Sequence, residues 1–480
     1  MPINFYKRLV GAKGVYTFRD FILLPGKSDI EPGAVTLSTN VTTNLKLNLP
    51  IVSSPMDTVT EADMAISIAR QGGIGIIHRN MAIDEQVEIV KRVKRAESFI
   101  IRDVITVEAH EKLKAAMDLM KEHHISGLPV LQKGRLAGIL TKRDVTFANQ
   151  RSVVSKVMTR DVVTAGPDVN ISGAMKIMHK HRVEKLPVVK KDGHLIGLIT
   201  IKDIYSREKY ALASRDEEGR LMVGASISPT DLERAKALDK HVDVIISDVA
   251  HFHNENLILA SKKLVKQISA DYVIGSIGTR EATEDCITRI ENVSGIRAGV
   301  GSGSICITSE VTRSGAPTLF AVSEISDSLQ KYGLKVPIIG DGGIRTPGDA
   351  ALALAAGASA VMMGNVFAGC SESPGSLIKI GGKYYKPYRG MGSDAAREKM
   401  FARDRYGQPS KGIAEGVEGV VPYRGDLQAV VEEFVSGLRA SFGYSGAANI
   451  KDLWSKAAFG AVSSAGADEL RPHDVILPGE

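Results

Sequence analysis

VPIIGDGGIRTPGDAALALAAGASAVMMGNVFAG, residues 336–369, is the stretch on which the fold turns. A short apolar run (VPII) ends in a glycine-rich turn. An alanine- and leucine-rich segment of helical length (DAALALAAGA) follows, and a second apolar run (SAVMMG) ends at a second glycine. Ala350 to Ser371 carries no charge over 22 residues, long enough to span a bilayer. Gly357, Gly364, Asn365 and Gly369 interrupt it, so it reads instead as a buried helix, strand and loop. Strands alternating with helices in this way build parallel α/β sheets.

The same unit recurs outward from that stretch. IVSSPM (51–56), GIGIIH (73–78), MVGASI (222–227), VDVIISD (242–248), DYVIGSI (271–277) and GIRAGVG (295–301) precede VPIIGDGG (336–343) and SAVMMGN (359–365). Helical segments such as IDEQVEIVKRVKRA (83–96) and PTDLERAKALD (229–239) separate most of them. Eight βα units over about 370 residues predict a (β/α)8 TIM barrel with insertions. The 480 residues are 44% hydrophobic and 5% aromatic, with 47 Gly and one Trp, which suits many short αβ connections better than a β-sandwich. Net charge is +6, from 61 basic and 55 acidic residues. That excess, read as small and scattered, allows an anionic ligand but predicts no nucleic-acid surface. Cys286, Cys306 and Cys370 form no CxxC pair, which argues against disulfides and structural zinc. The N-terminus lacks a signal-peptide core, so a cytoplasmic protein with free thiols and no membrane partner is expected.

Between the second and third units the chain repeats itself. RDVITVEAHEKLKAAMDLMKEHHISGLPVLQKGRLAGILTKRDV (102–145) matches RDVVTAGPDVNISGAMKIMHKHRVEKLPVVKKDGHLIGLITIKDI (160–204). Each copy reads as strand, amphipathic helix, Leu-Pro-Val strand, glycine turn, strand and helix start. The two copies resemble a tandem CBS pair inserted into the barrel. That resemblance implies an adenine or guanine nucleotide held by Thr141, Asp144, Thr200 and Asp203. The alternative is that each Thr ends a strand and each Asp caps the next helix. The expected boundaries are 1–96 and 208–480 for the barrel and 97–207 for the insert, with repeats at about 97–150 and 154–207.

In a barrel of this kind the loops after the strands share one face, where function gathers. That mouth would collect Ser54, Met56, Asp57, His78, Asp248, Gly275, Ser276, Cys306, Asp341, Gly342, Gly343, Gly364 and Asn365. The loops after strands seven and eight, GDGGIRTPGD and MMGNVFAG, are glycine-rich. Both can lead into helix N-termini, the usual phosphate cradle of such barrels. The loop after strand six, GVGSGSICITSEVTRSGAP (299–317), places Cys306 at the mouth. Cysteine is commonly a small core residue, so spacing leaves Cys306 open between packing and nucleophile. GxGxG there lacks the βαβ context of a dinucleotide fingerprint.

SSPMDTVTE (53–61), GSGSICIT (301–308), DGGI (341–344), YRGMGS (388–393) and EGVEGVVPYRG (415–425) together resemble the inosine-5′-monophosphate dehydrogenase and GMP reductase family. The resemblance runs nearly end to end. It implies oxidation of IMP to XMP with NAD⁺. Cys306 would attack C2 of the purine, and hydride loss would leave a covalent thioimidate. A flap at about 383–422 would then supply Arg405 and Tyr406 for hydrolysis, with Thr308 and Glu415 as a second proton route. IMP would contact Ser54, Met56, Arg297, Ser304, Asp341, Gly342, Gly343, Gly364, Asn365, Tyr388, Gly390, Met391, Gly392 and Glu415. NAD⁺ would lie against Asp248, Gly299, Val300 and Gly301. K⁺ would bind carbonyls of Gly301, Gly303 and Cys306, completed by Glu469, Leu470 and Arg471 of a neighbouring subunit in a homotetramer or octamer. The chain departs from the family pattern at Phe252 (usually Gly), Ser276 (usually Asn) and Thr318 (usually Gln). GMP reductase and a non-catalytic nucleotide sensor are the alternatives.

Overall fold

The computed structural model describes residues 12–96, 100–102, 104–123, 125–399, 401, 414–463 and 465–470. Arg405, Tyr406 and Arg471 lie outside the described residues, as does the side chain of Asp203. Eight parallel strands close a barrel. They are β1 (Ile51–Ser53), β2 (Ile74–Ile77), β3 (Val223–Ile227), β4 (Val244–Ser247), β5 (Asp271–Ile277), β6 (Gly295–Ala298), β7 (Ile338–Asp341) and β8 (Ala360–Met363). All eight runs expected from the sequence are strands. They pair in chain order, and β8 returns to β1 to close the ring.

Alternation explains the interior. Ile74 and Ile76, Val244 and Ile246, Ala360 and Met362 lie two apart on their strands and share one core with Val52, Val273 and Ile339. Val41 and Leu47 join that core from a hairpin pairing Thr39–Asn40 with Lys46–Leu47. The hairpin seats on the strands' N-terminal ends, where Asn44 donates to Asp271 at 2.7 Å and the Thr43 amide to the Ser294 carbonyl at 2.8 Å. It therefore plugs the bottom and leaves the C-terminal mouth open. Each wholly buried aliphatic side chain in this core contributes about 1.5–3 kcal/mol.

The strands are followed by α1 (Ala62–Gln71), α2 (Ile83–Ala96), α3 (Leu232–Asp239), α4 (Glu255–Leu264), α5 (Arg280–Arg289), α6 (Thr318–Lys331), α7 (Pro347–Ala355) and α8 (Leu427–Tyr444). Side-chain caps set several starts: Asp231 accepts from the Arg234 amide and Thr346 from the Asp349 amide. The Asp231 cap explains why α3 begins three residues inside the expected PTDLERAKALD segment. Between β8 and α8 stands a three-stranded antiparallel sheet, β9 (Ile378–Ile380), β10 (Lys383–Arg389) and β11 (Glu418–Pro422). Among the described residues no helix is long and apolar enough to cross a membrane.

A second compact unit comprises Arg95–Ala211 and Glu217–Arg220. It has two cores, one in each copy of the repeat. The first copy packs the helix Leu113–Glu122 with strands Gly127–Gln132 and Arg135–Thr141, and the second packs Ile171–His181 with Lys185–Val189 and Leu195–Thr200. Gly127 pairs with Thr141 and Lys185 with Thr200, so both hairpins end in the same register. This division corrects one expectation. Residues 95–211 hold 21 of the 61 basic residues but only 13 of the 55 acidic ones, so the positive excess is concentrated there.

Candidate active site

The loop after β6 carries the reactive set. Cys306 follows a turn in which its amide donates to the Gly303 carbonyl at 3.1 Å. It then bridges Gly416 in antiparallel fashion, with the Ile307 amide donating to the Glu415 carbonyl at 3.1 Å. That pairing brings Glu415 across from a distant part of the chain. The Cys306 thiol is 3.2 Å from Thr308 Oγ1, which donates to Glu415 Oε2 at 2.9 Å. Glu415 is buried and Cys306 half-buried, facing a cavity of about 490 Å³. The other two cysteines differ in kind: both are buried, and burial pushes each thiol up to about 12.

The loops after β7 and β8 form one wall of the cavity. Gly342 and Gly343 hold φ of 90° and 74°, the left-handed region that glycine adopts without strain. A side chain at Gly364 would meet Met56 Sδ at 3.0 Å and the Tyr388 hydroxyl at 3.2 Å. Tyr388 lies 3.5 Å from Ser304 Oγ, and burial pushes its phenol up to about 12, so it stays a neutral hydrogen-bonding group. Asn365 opens a short helix, Asn365–Ala368, where a loop was expected.

Arg297 is buried with its Nη1 3.3 Å from Asp248 and 3.6 Å from Asp341, while Nη2 donates to Ser276 Oγ at 2.9 Å. One guanidinium therefore spans the carboxylates that end β7 and follow β4. Arg79, also buried, donates to the Asp248 carbonyl at 3.1 Å. Phe252 is wholly buried, and its amide donates to the Ser276 carbonyl at 3.1 Å.

The sheet β9–β10–β11 is anchored beside the mouth. Arg389 at the end of β10 grips Asp57 with two hydrogen bonds, at 3.0 and 2.5 Å, and Asn80 adds a third at 3.0 Å. Burial would raise the Asp57 carboxyl, but the bonds from Arg389 and Asn80 outweigh it and hold the group below its ordinary value. Gly390, Met391 and Gly392 follow directly and line the cavity.

The profile of the IMP dehydrogenase / GMP reductase domain matches residues 15–473. The chain belongs to the IMP dehydrogenase / GMP reductase family. It is 56% identical over 461 residues to a protein of Korarchaeum cryptofilum named inosine-5′-monophosphate dehydrogenase, covering 96% of each chain. It is 49% identical over 467 residues to a Thermoplasma acidophilum protein of the same name, covering 97% of this chain and 95% of that one. A solved cysteine-to-alanine variant of GMP reductase from Trypanosoma brucei, in complex with guanosine 5′-monophosphate, superposes with a TM-score of 0.90 at 34% identity, over 98% of this chain and all of that one.

Of the residues expected to bind substrate in this family member, Ser54, Met56, Arg297, Ser304, Asp341, Gly342, Gly343, Gly364, Asn365, Tyr388, Gly390, Met391, Gly392 and Glu415 all line the cavity. So do Asp248, Gly299, Gly301, Gly303, Cys306 and Thr308. Val300 does not: its amide and carbonyl are paired with Ala316, which turns it into the loop's own hairpin. Glu469 and Leu470 are exposed, and Leu470 lines a different cleft with Phe21 and Tyr444, one that Gly301 and Gly303 do not line. Thr141 and Asp144 are engaged with each other: Asp144 Oδ2 accepts from the Thr141 amide at 2.7 Å and its hydroxyl at 2.6 Å, a capping box. Sequence reading missed the Arg389 grip on Asp57 and the buried Arg79.

Proposed function

We propose that the chain is an IMP dehydrogenase, oxidising IMP to XMP with NAD⁺. The observation that carries this is the contiguous Cys306–Thr308–Glu415 chain facing a cavity that two glycine loops also line. IMP would anchor its phosphate on the loops at Gly343, Gly364 and Asn365, with Ser304 and Tyr388. Asp341 would accept from ribose hydroxyls, and Met391 and Gly392 would border the purine.

Cys306 is then the nucleophile toward C2. Its proton has a path through the Thr308 hydroxyl to Glu415, each member donating to the next. NAD⁺ supplies the hydride acceptor. The residues present suit it: Asp248 offers a carboxylate for ribose hydroxyls, and Ser276 and Arg297 place polar groups at the same end of the cavity. Loss of hydride leaves the purine bound to Cys306 as a thioimidate, which water cleaves to XMP. The Arg405–Tyr406 pair carries that hydrolysis by family resemblance. Carbonyl oxygens of Gly301, Gly303 and Cys306 are the donor type a hard cation such as K⁺ prefers. They would hold it with Glu469, Leu470 and Arg471 of a neighbouring subunit in a homotetramer.

The second unit is, in this reading, a tandem CBS pair in which Thr141, Asp144, Thr200 and Asp203 hold a nucleotide. Asp144 would engage ribose through its second oxygen while keeping its cap.

The deciding experiment sets IMP, NAD⁺ and K⁺ beside GMP and NADPH. NADH formation from IMP is expected. NADPH consumption with GMP, and no NADH from IMP, would reassign the chain to the reductase arm that the Trypanosoma structure represents.

A further inference from the structure

Thr318, one of the departures from the family pattern, is almost wholly buried at the first position of α6, where its side chain serves no cap. Its hydroxyl lies 2.6 Å from the Asp341 carbonyl oxygen, 2.8 Å from that of Gly342 and 2.9 Å from Ser302 Oγ. Ser302 Oγ in turn lies 2.9 Å from the Asp341 carbonyl oxygen. Each hydroxyl has a single proton to give. The arrangement that pairs both carbonyls has Ser302 donating to Asp341 and Thr318 donating to Gly342.

Space around this node is closed. A side chain at Gly299 would meet the Asp341 carbonyl oxygen at 2.5 Å and Thr318 Oγ1 at 3.0 Å. One at Gly342 would meet Ser302 Oγ at 2.7 Å and the Gly303 amide at 3.0 Å. Three segments therefore meet here: the thiol-bearing loop at 299–303, the start of α6, and the glycine turn at 341–343. From Ser302 the chain reaches Cys306 through the Gly303 turn.

We infer that the Ser302–Thr318 hydroxyl pair sets the register between the thiol-bearing loop and the phosphate-side glycine turn, making Thr318 a positioning residue for the approach of Cys306 to the purine. The inference rests on the function proposed above. The phosphate end of the substrate is fixed by one loop and the sulfur by the other, so slippage between them displaces the sulfur from the ring. A misplacement of about 1 Å costs on the order of 100-fold in rate. A register defect has a distinct signature: binding survives while the bond-making step slows.

The test measures single-turnover NADH formation at saturating IMP, and IMP affinity by equilibrium dialysis, for wild type, Thr318→Val and Thr318→Ser. Thr318→Val should bind IMP within about 3-fold of wild type and transfer hydride about 10- to 100-fold more slowly. Thr318→Ser, which restores the donor, should recover to within about 3-fold of wild type. Ser302→Ala removes the other donor and is judged by the same criterion if Thr318→Val does not fold. A Thr318→Val rate equal to wild type, a defect confined to IMP affinity, or a serine variant as slow as the valine one would overturn the inference while leaving the dehydrogenase reading intact. Wild-type protein that forms no NADH from IMP would overturn that reading, and this inference with it.

Discussion

Of the three thiols, two are buried and only Cys306 lines the cavity. Cys286 and Cys370 are buried and pushed up to about 12, so at pH 8 they stay protonated as well as covered. Iodoacetamide at that pH should modify a single residue, Cys306, and saturating IMP should block it; modification of two or three thiols by mass spectrometry would contradict the assignment. Cys306→Ala should lose at least about 10³-fold in turnover yet still bind IMP. The relay behind the sulfur makes a second prediction. Glu415→Gln keeps a hydrogen-bonding side chain but no base, and should cost about 10²- to 10⁴-fold. In the proposed relay Thr308 acts through Glu415, so adding Thr308→Val should cost little more, since members of one relay are non-additive. Independent, multiplying losses would show that the two residues do separate work. Cys306 was visible in GSGSICIT, and Thr308 and Glu415 were named only through the family resemblance: Glu415 lies 109 positions from Cys306, and the pairing of Cys306 with Gly416 and of Ile307 with Glu415 brings it in.

At the scale of elements, legibility followed locality. All eight barrel strands could be read because each is a short, largely apolar run, a signal contained within six to eight positions. The Asp57–Arg389 grip could not be read, because it joins residues 332 apart and neither segment marks its partner. Thr318 showed in sequence only as an unexpected residue; its meaning needed β7 and the β6 loop side by side. The grip predicts how β10 stays on the barrel. Asp57 has no exposed side-chain surface while Arg389 is partly exposed, so Asp57→Asn removes charge-assisted hydrogen bonds rather than stranding a buried charge, and should cost about 1.5–3 kcal/mol. The pH sign follows from the lowered carboxyl. A depressed folded value stabilises at neutral pH, and that contribution disappears as pH falls below the ordinary carboxylate range. Urea midpoints of wild type and Asp57→Asn should therefore differ by a constant amount above about pH 5 and converge in stronger acid. A gap that widened on acidification would refute the assignment.

For the whole molecule the central problem is geometric: the barrel must close although its chain leaves after α2 and returns only before β3. Lys94, near the end of α2, is the last residue of the first barrel segment, and the segment Leu212–Asp216 rejoins the barrel on the way back. These ends are tied together. Lys94 Nζ contacts Asp216 at 2.9 Å and Asp243 at 2.7 Å, and Asp243 also accepts from the Val223 amide at 2.7 Å. One buried ammonium thus joins the departing chain, the returning chain, the start of β3 and the turn into β4. Burial raises the Asp243 carboxyl, and the Lys94 charge opposes that rise. Lys94→Met removes the opposition and leaves a buried carboxylate facing a second one, at a cost of about 3–5 kcal/mol near neutrality. The pH sign is the reverse of that for Asp57. A carboxyl raised in the folded state is best tolerated protonated, so lowering the pH neutralises Asp243 and restores part of the loss. Calorimetric melting from pH 8 to pH 5 should show the Lys94→Met deficit shrinking as pH falls, and Lys94→Met with Asp243→Asn should be more stable at pH 8 than Lys94→Met alone. A deficit that grew with acidification would mean that Lys94 acts through packing rather than as the counterion joining the two ends of the interrupted barrel.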